Sequence, residues 1–275
     1  ASGGVLVETT VARLAAERFL LASAAAAEWH DWAWLAADLP PGVTLANATA
    51  EQETLALSGP QAREILEQAS GQSLGDLRWR QAREIAIAGE SVLALRFGYS
   101  GELGYELHPR PEQGPAVYAA LRAAGARPVG NLALDSLRLE KGYPAWKSEL
   151  EVKVSALASG LERFIAWDKG DFVGRAALLA ERAAGPRQVL ALLTLEEGEE
   201  EALPLAPVFR GGRRVGLVTS GVYGHWVGRS LALAYLEPGE ALVGTRLAVE
   251  VLGQRRAALV VPRPLHDPEN RRMKG

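Results

Sequence analysis

The sequence contains no cysteine among its 275 residues. That removes disulfides, thiolate nucleophiles and thiolate metal sites together, and it suits a reducing compartment such as the cytoplasm. It also lacks a basic excess. With a formal net charge of −3 and a pI of about 5.9, no overall positive field exists to gather nucleic acid or an anionic membrane surface. No apolar run approaches the roughly 18 residues that a bilayer-spanning helix needs. The four histidines, at positions 30, 108, 225 and 266, show no paired ligand spacing, so a zinc-type site has no support and no metal is expected. No Gly-x-Ser-x-Gly elbow precedes a helix, and no serine has a recognisable histidine and acid partner, which argues against nucleophilic hydrolysis. The chain opens Ala-Ser-Gly-Gly without a methionine, a basic leader or an apolar signal core. We therefore expect a further segment before it in a longer protein.

What is present is an ordinary globular composition, 48% hydrophobic and 23% charged, long enough for two or three small cores. Residues 5–14 and 18–23 read as two strands joined at Ala15-Ala16-Glu17. Residues 24–37 read as a helix with Trp29, Trp32 and Leu35 at helical spacing. Residues 43–56 read as two more short strands. Pro60, at a tolerated first-turn position, opens a helix carrying Ala62, Ile65 and Leu66. Residues 83–107 alternate as β-type segments. Residues 112–124 form a helix with Val117, Tyr118 and Leu121 on one face, and residues 132–141 form another, stopped by Gly142 and Pro144. After Gly185-Pro186 the pattern changes to short strands and turns, the mark of a separate all-β C-terminal domain. The acidic run from Glu196 to Glu201 reads as a loop between two of those strands.

Three stretches invite a chemical reading. Gly98 to Pro109, GYSGELGYELHP, places glycines at 98, 101 and 104 where backbone or ligand must come close. Tyr99 and Glu106 are an odd number of residues apart, so a bulge or turn between Gly101 and Gly104 is needed to bring both to one pocket. A glycine-rich hairpin with outward carboxylates fits the same residues. In LDSLRLEKG, from Leu134, Asp135, Arg138 and Lys141 stand at i, i+3 and i+6 on a helix, the spacing of surface salt bridges. VTSGVYGHWVGRS, from Val218, superficially suggests a phosphate loop. It has three residues rather than four between Gly224 and Gly228, an arginine for the lysine, and strands rather than a helix around it, so a β-turn is the better reading.

Taken in order along nearly the whole chain, Gly3-Gly-Val, LSGPQAREIL, GYSGELGYELHP, LDSLRLEKGYPAW, WDKGDFVGR and VTSGVYGH resemble one family. It is the folate-dependent aminomethyltransferase family typified by the T-protein of the glycine cleavage system. EWHDWAWL, GELGYELHP, EKGYPAW, TSGVYGH and PLHDPENRRM resemble in particular the T-protein-like C-terminal region of sarcosine and dimethylglycine dehydrogenases and oxidases. The related iron–sulfur maintenance branch carries Lys-Gly-Cys-Tyr-x-Gly-Gln, where this chain has Lys141-Gly-Tyr-Pro.

The resemblance implies an α+β, T-protein-like multidomain fold with interleaved α+β folate-binding domains and a C-terminal all-β, barrel-like domain. Residues 1–45 and 148–187 would form the first domain, 46–147 the second and 188–275 the barrel. It implies tetrahydrofolate as cosubstrate. Tyr99 and Glu106 match the family's folate-contacting tyrosine and glutamate, with Glu106 accepting two adjacent pterin donors, the glycines making room for the ring, and Tyr99 supplying a wall and a hydroxyl. Arg138 matches a pocket arginine, there to meet ligand oxygens or position Glu106, and Trp167 lies near a pocket tryptophan. Glu8 occupies the place of the essential aspartate, one methylene longer, and Ala24 replaces a folate-contacting asparagine.

The activity implied is one-carbon transfer from an aminomethyl or imine donor to tetrahydrofolate, giving 5,10-methylenetetrahydrofolate, in glycine or sarcosine/dimethylglycine catabolism. The donor would arrive on a lipoyl carrier protein or from an upstream flavin oxidase or dehydrogenase domain; neither nucleic acid nor membrane is an expected partner. A folate-binding module without turnover and a purely architectural likeness are the rival readings.

Overall fold

The computed structural model describes residues 3–196 and 198–275. Its contacts divide the chain into two compact units, one of Ala1–Glu8 with Asp135–Pro268, the other of Thr9–Leu134 with Glu269–Gly275. The architecture is mixed α and β, as the resemblance implies.

The second of these units starts with strands β1 (Thr9–Ala15) and β2 (Arg18–Ser23), which pair antiparallel, and helix α1 (Glu28–Ala36). The first strand begins four residues later than expected, because Val5 instead donates to the Val154 carbonyl at 2.8 Å. On α1 the buried face carries Asp31, with Trp32 and Leu35 half-buried beside it, whereas Trp29 is 71% exposed and does not share it. Only one of the two strands expected in residues 43–56 forms, as β3 (Leu55–Ser58). The stretch before it includes a short 3₁₀ turn at Thr49–Glu51, and Asn47 accepts a bond from the Thr49 N–H while donating to Glu28. Such local side-chain bonds compete with strand pairing.

Helix α2 (Ala62–Ser70) follows, starting two residues after Pro60 and closed by Gly71 at φ 68°. Strands β4 (Ala82–Ile87), β5 (Glu90–Leu95) and β6 (Gly104–His108) join β3 in an antiparallel sheet of order β3-β6-β5-β4. Ala88 and Gly89, both at positive φ, make the two-residue turn between β4 and β5. One face of the sheet, with Val92, Ala94, Tyr105 and Leu107, packs against α2 and against Val117 and Leu121 of helix α3 (Gly114–Ala123). Tyr118 was expected on that same face, but it lies about 100° around the helix from Val117 and is exposed.

The division between the units falls within helix α4 (Asn131–Glu140). The other unit holds most of α4, helix α5 (Arg175–Ala184) and six strands: β7 (Val189–Leu195), β8 (Pro207–Arg210), β9 (Arg213–Gly224), β10 (Arg229–Leu236), β11 (Arg246–Val251) and β12 (Gln254–Val261). They close into an antiparallel barrel of order β10-β7-β12-β11-β8-β9. Along β7, Ala191, Leu193 and Leu195 join one buried cluster with Val249 and Val260, while Leu190 and Leu192 join another with Leu139, Val154 and Ala158. Burial on both faces accounts for a strand that is apolar almost throughout. The acidic run lies between β7 and β8; Glu197 is outside the described residues, whereas Glu196 pairs with Arg246 and Glu201 accepts the Tyr223 N–H.

Candidate functional site

The motif GYSGELGYELHP becomes a loop, residues 97–103, feeding strand β6. Its glycines have a packing part within the loop. A Cβ on Gly104 would meet the Phe97 carbonyl and Ser58 Oγ at 3.1 Å and the Gly98 Cα at 3.4 Å. Gly98 and Gly104 thus let the two arms of the loop touch, and Gly101, at φ 78°, makes the turn between them. Ser58 Oγ and Ser100 Oγ, 2.7 Å apart, tie the loop to β3.

On β6 the side chains alternate, so Tyr105 and Leu107 enter the core while Glu106 and His108 share the opposite face. Glu106 is half-buried and makes no hydrogen bond or ion pair among the described residues; burial raises its pKa above the ordinary carboxylate value. A partly desolvated acceptor with both oxygens unspent is poised for a ligand that brings its own N–H donors. His108 was not singled out by sequence. Its Nε2 is buried without a partner among the described residues, Thr54 Oγ1 lies 3.4 Å from Nδ1, and burial lowers its pKa, keeping the ring neutral. The period-two spacing from Glu106 was the signal available. Tyr99 sits half-buried in the loop of the same unit.

Glu8, Arg138 and Trp167 belong to the other unit. Glu8 is exposed, immediately before β1. The Gly-Gly pair upstream fixes the approach: Gly4 bridges Ser155, and a Cβ on Gly4 would lie 1.9 Å from the Val152 carbonyl oxygen, so no other residue fits without moving backbone. Trp167 is half-buried, with the Arg182 guanidinium 4.9 Å from its ring centroid.

Of the expected ladder Asp135, Arg138 and Lys141, the Asp135–Arg138 pair forms at 3.2 Å with Asp135 half-exposed, but the rest is not a surface feature: Arg138 is 5% exposed and Lys141, just past α4, 2%, and their neighbour Glu140 is 1% exposed. Arg138 donates from Nε to Asp135 at 3.2 Å, from Nη1 to the Tyr143 carbonyl at 3.2 Å and to Glu149 at 3.1 Å, and from Nη2 to Ser220 Oγ at 2.9 Å. Glu149, fully buried, also accepts from Ser220 Oγ at 2.6 Å and the Ala145 N–H at 2.8 Å. Glu140 accepts the N–H groups of Trp226 and Val227, at 2.6 and 2.8 Å, and Ser136 donates to the Tyr223 carbonyl. Lys141 donates to the Asp267 carbonyl at 2.6 Å and pairs with its carboxylate at 3.3 Å. The charges of this helix hold the β9–β10 hairpin and the stretch after β12. That hairpin is VTSGVYGHWVGRS, a turn between strands as read from the sequence. Among the described residues no group of three or more His, Asp or Glu is gathered as for a metal ion, and no helix is long and apolar enough to cross a membrane.

Residues 1–169 match the GCVT N-terminal domain and residues 187–267 the glycine cleavage T-protein C-terminal barrel domain, leaving the last eight residues outside both. Mitochondrial dimethylglycine dehydrogenase of Homo sapiens is 34% identical over 273 residues; the match covers 96% of this chain and 32% of that protein, so the chain spans about a third of it. Aminomethyltransferase of Moorella thermoacetica is 35% identical over 270 residues, with 96% of this chain and 73% of that one covered. The solved structure of glycine cleavage system aminomethyltransferase T from Bartonella henselae superposes with a TM-score of 0.86 at 27% identity, over 96% of this chain and 73% of that chain.

Proposed function

The chain belongs to the glycine cleavage T-protein, or aminomethyltransferase, family, and from that premise we propose that it binds a reduced folate and passes it a methylene from an aminomethyl or imine donor, yielding 5,10-methylenetetrahydrofolate. The observation that carries this reading is Glu106, a half-buried carboxylate on β6 with no partner among the described residues and a raised pKa. A pterin ring presents an N–H and an amino group side by side, and one carboxylate accepts both. When bound, tetrahydrofolate would supply N5 as the nucleophile toward the methylene and N10 for ring closure.

The rest of the chemistry falls to the chain. In this reading Glu106 fixes the ring's orientation in its ionised form, and Tyr99 supplies a wall and a hydroxyl. Orientation is the main source of rate in such a transfer. Glu8 keeps the part that the resemblance implies, stabilising cationic nitrogen or moving a proton near N10. Trp167 contributes an aromatic surface. Arg138, with three of its nitrogens already donating within its own unit, takes a positioning part rather than a direct ligand contact.

The similarity to dimethylglycine dehydrogenase favours an imine from an upstream flavin domain as donor, with a lipoyl carrier as the other candidate. The division into 1–45 with 148–187, 46–147 and 188–275 is retained as a proposal; it cuts across the two units described, which part residues 1–8 from 9–45 and 269–275 from the barrel. So is a cytoplasmic location, on the strength of the cysteine-free sequence.

Calorimetric titration with 5-formyltetrahydrofolate, a stable reduced folate, tests the pocket. Saturable binding that weakens in Glu106→Gln is the expected result; an unchanged affinity would leave only an architectural likeness. A module that binds without turnover is the second reading, favoured by the exposure of Glu8 and its extra methylene. Capture of a formaldehyde equivalent that disappears in Glu8→Ala would dispose of it.

A further inference from the structure

After the barrel the chain crosses back. Residues Glu269–Gly275 follow Pro268 but make their contacts with the Thr9–Leu134 unit, where Arg271–Lys274 forms a single helical turn, α6. Three observations tie this segment to the motif loop: the Arg96 bridge, an Arg272–Glu102 pair and the approach of Gly275 to Leu103. Arg96, 1% exposed, donates from Nη1 to the Gly104 carbonyl at 3.3 Å and from Nη2 to the Lys274 carbonyl at 3.0 Å. Its guanidinium also lies 5.1 Å from the Tyr105 ring centroid. Arg272 Nη1 is 3.4 Å from Glu102 Oε1, inside the loop. Met273 is 5% exposed, and a Cβ on Gly275 would lie 2.8 Å from Arg63 Nη2, 3.0 Å from Arg96 Nη2 and 3.2 Å from Leu103 Cδ1.

A fully buried guanidinium is expensive to desolvate, so the bonds it does make carry weight. Here Nη1 and Nη2 are spent on two backbone carbonyls, one where the loop enters β6 and one in the terminal turn, while Nε has no hydrogen-bond partner among the described residues. Neither carbonyl carries sequence-specific chemistry. What the arrangement fixes is the path of the chain at Gly104, two residues before Glu106.

We infer that residues 269–275 are a strap that holds the GYSGELGYELHP loop in its ligand-ready shape, with Arg96 as the positioning residue that joins the two. The strap acts on a site whose ligand is the reduced folate proposed above, so the inference rests on that reading for the ligand but not for the coupling. With the strap released, Gly104 loses the neighbour that shares Arg96, Glu102 loses an ion pair, and the loop must be ordered at the expense of binding.

The test uses the full chain, with Met273→Asp to expel the turn from its buried seat and Arg272→Ala as a milder variant that keeps the seat. Two quantities are read: affinity for 5-formyltetrahydrofolate, and hydrogen exchange at the amides of residues 98–103. The expected result is an affinity loss of about tenfold in Met273→Asp, faster exchange across 98–103 in both variants, and recovery in Arg272→Lys. A merely structural tail would lower the melting midpoint and leave both readings unmoved at temperatures where the protein is folded. Faster exchange at 271–275 with unchanged exchange at 98–103 and an affinity within twofold of the parent would overturn the strap. Should the parent chain bind no reduced folate, the proposed function fails, while the exchange at 98–103 still decides the coupling.

Discussion

Two motifs of the chain, GYSGELGYELHP and LDSLRLEKGYPAW, use their polar groups in opposite ways. In the second, Arg138, Glu140 and Lys141 are buried, and each has several partners within one unit. In the first, Glu106 reaches a half-buried position on β6 and meets no partner at all among the described residues. Folding tolerates an unpartnered, partly desolvated carboxylate at a cost, and such a cost recurs where a ligand completes the arrangement. The contrast separates a motif that builds the protein from one that is left incomplete by it.

The largest effect should come from breaking the completed motif. Replacing Glu149 by alanine takes from the buried Arg138 guanidinium its fully buried carboxylate, leaving only half-exposed Asp135, and deprives the Ser220 hydroxyl and the Ala145 N–H of their acceptor. Loss of one member of a buried pair costs about 3–5 kcal/mol, so urea melts of Glu149→Ala should show a collapse of stability. A loss below 1 kcal/mol would mean that this network is not what holds α4 in its unit, and the contrast with Glu106 would weaken.

Glu106→Gln should do the reverse, costing about 1–3 kcal/mol of folate affinity through one impaired charged hydrogen-bond pair while leaving the fold no less stable. The pH dependence carries the sign. Burial raises the Glu106 pKa, so the folded chain holds this proton at a pH where the unfolded chain has released it. The stability contributed by Glu106 therefore falls as pH rises from the ordinary carboxylate value through the raised one. Melts of parent and Glu106→Gln should coincide at low pH and diverge in the variant's favour as pH rises across that window. Folate affinity of the parent should fall on acidification through the same raised pKa, because the protonated carboxyl loses an acceptor. A flat affinity profile there would remove Glu106 from the ligand.

Sequence made the barrel legible because β7 to β12 carry strong strand patterns with turns between them, and tertiary packing agreed with local preference. On α4 the Asp135–Arg138 pair forms as spaced, but the burial of Arg138 and Lys141 was not legible, for a physical reason. Spacing of Asp135, Arg138 and Lys141 at helical intervals says which side chains share a face but not what covers that face, and the coverings come from residues 149, 220, 226, 227 and 267, far along the chain. Tyr118 and Trp29 failed in the other direction, apolar by type and exposed in fact. At the candidate site, sequence placed Glu106 through its motif. That Glu106 lacks a partner among the described residues, or that His108 is buried beside it on the same face, depends on the sheet's packing and could not be read from residue order.

The smallest effect tests whether the glycines of the first motif serve the loop or the ligand. A Cβ on Gly104 would stand 3.1 Å from both the Phe97 carbonyl and Ser58 Oγ, tight enough that the Ser58–Ser100 bond at 2.7 Å must give by a few tenths of an ångström. Gly104→Ala should then cost about 1 kcal/mol of stability, the lower end of what crowding a packed site costs, read as a small shift in the urea midpoint. Pairing it with Ser58→Ala separates the two roles. If the glycine exists for the approach of Gly98 and Ser58, removing the serine hydroxyl should recover part of that loss, and folate affinity should recover with it. If affinity stays reduced after stability is restored, the methyl group obstructs the ligand itself, and Gly104 belongs with Glu106 among the groups that folding leaves for the ligand to meet.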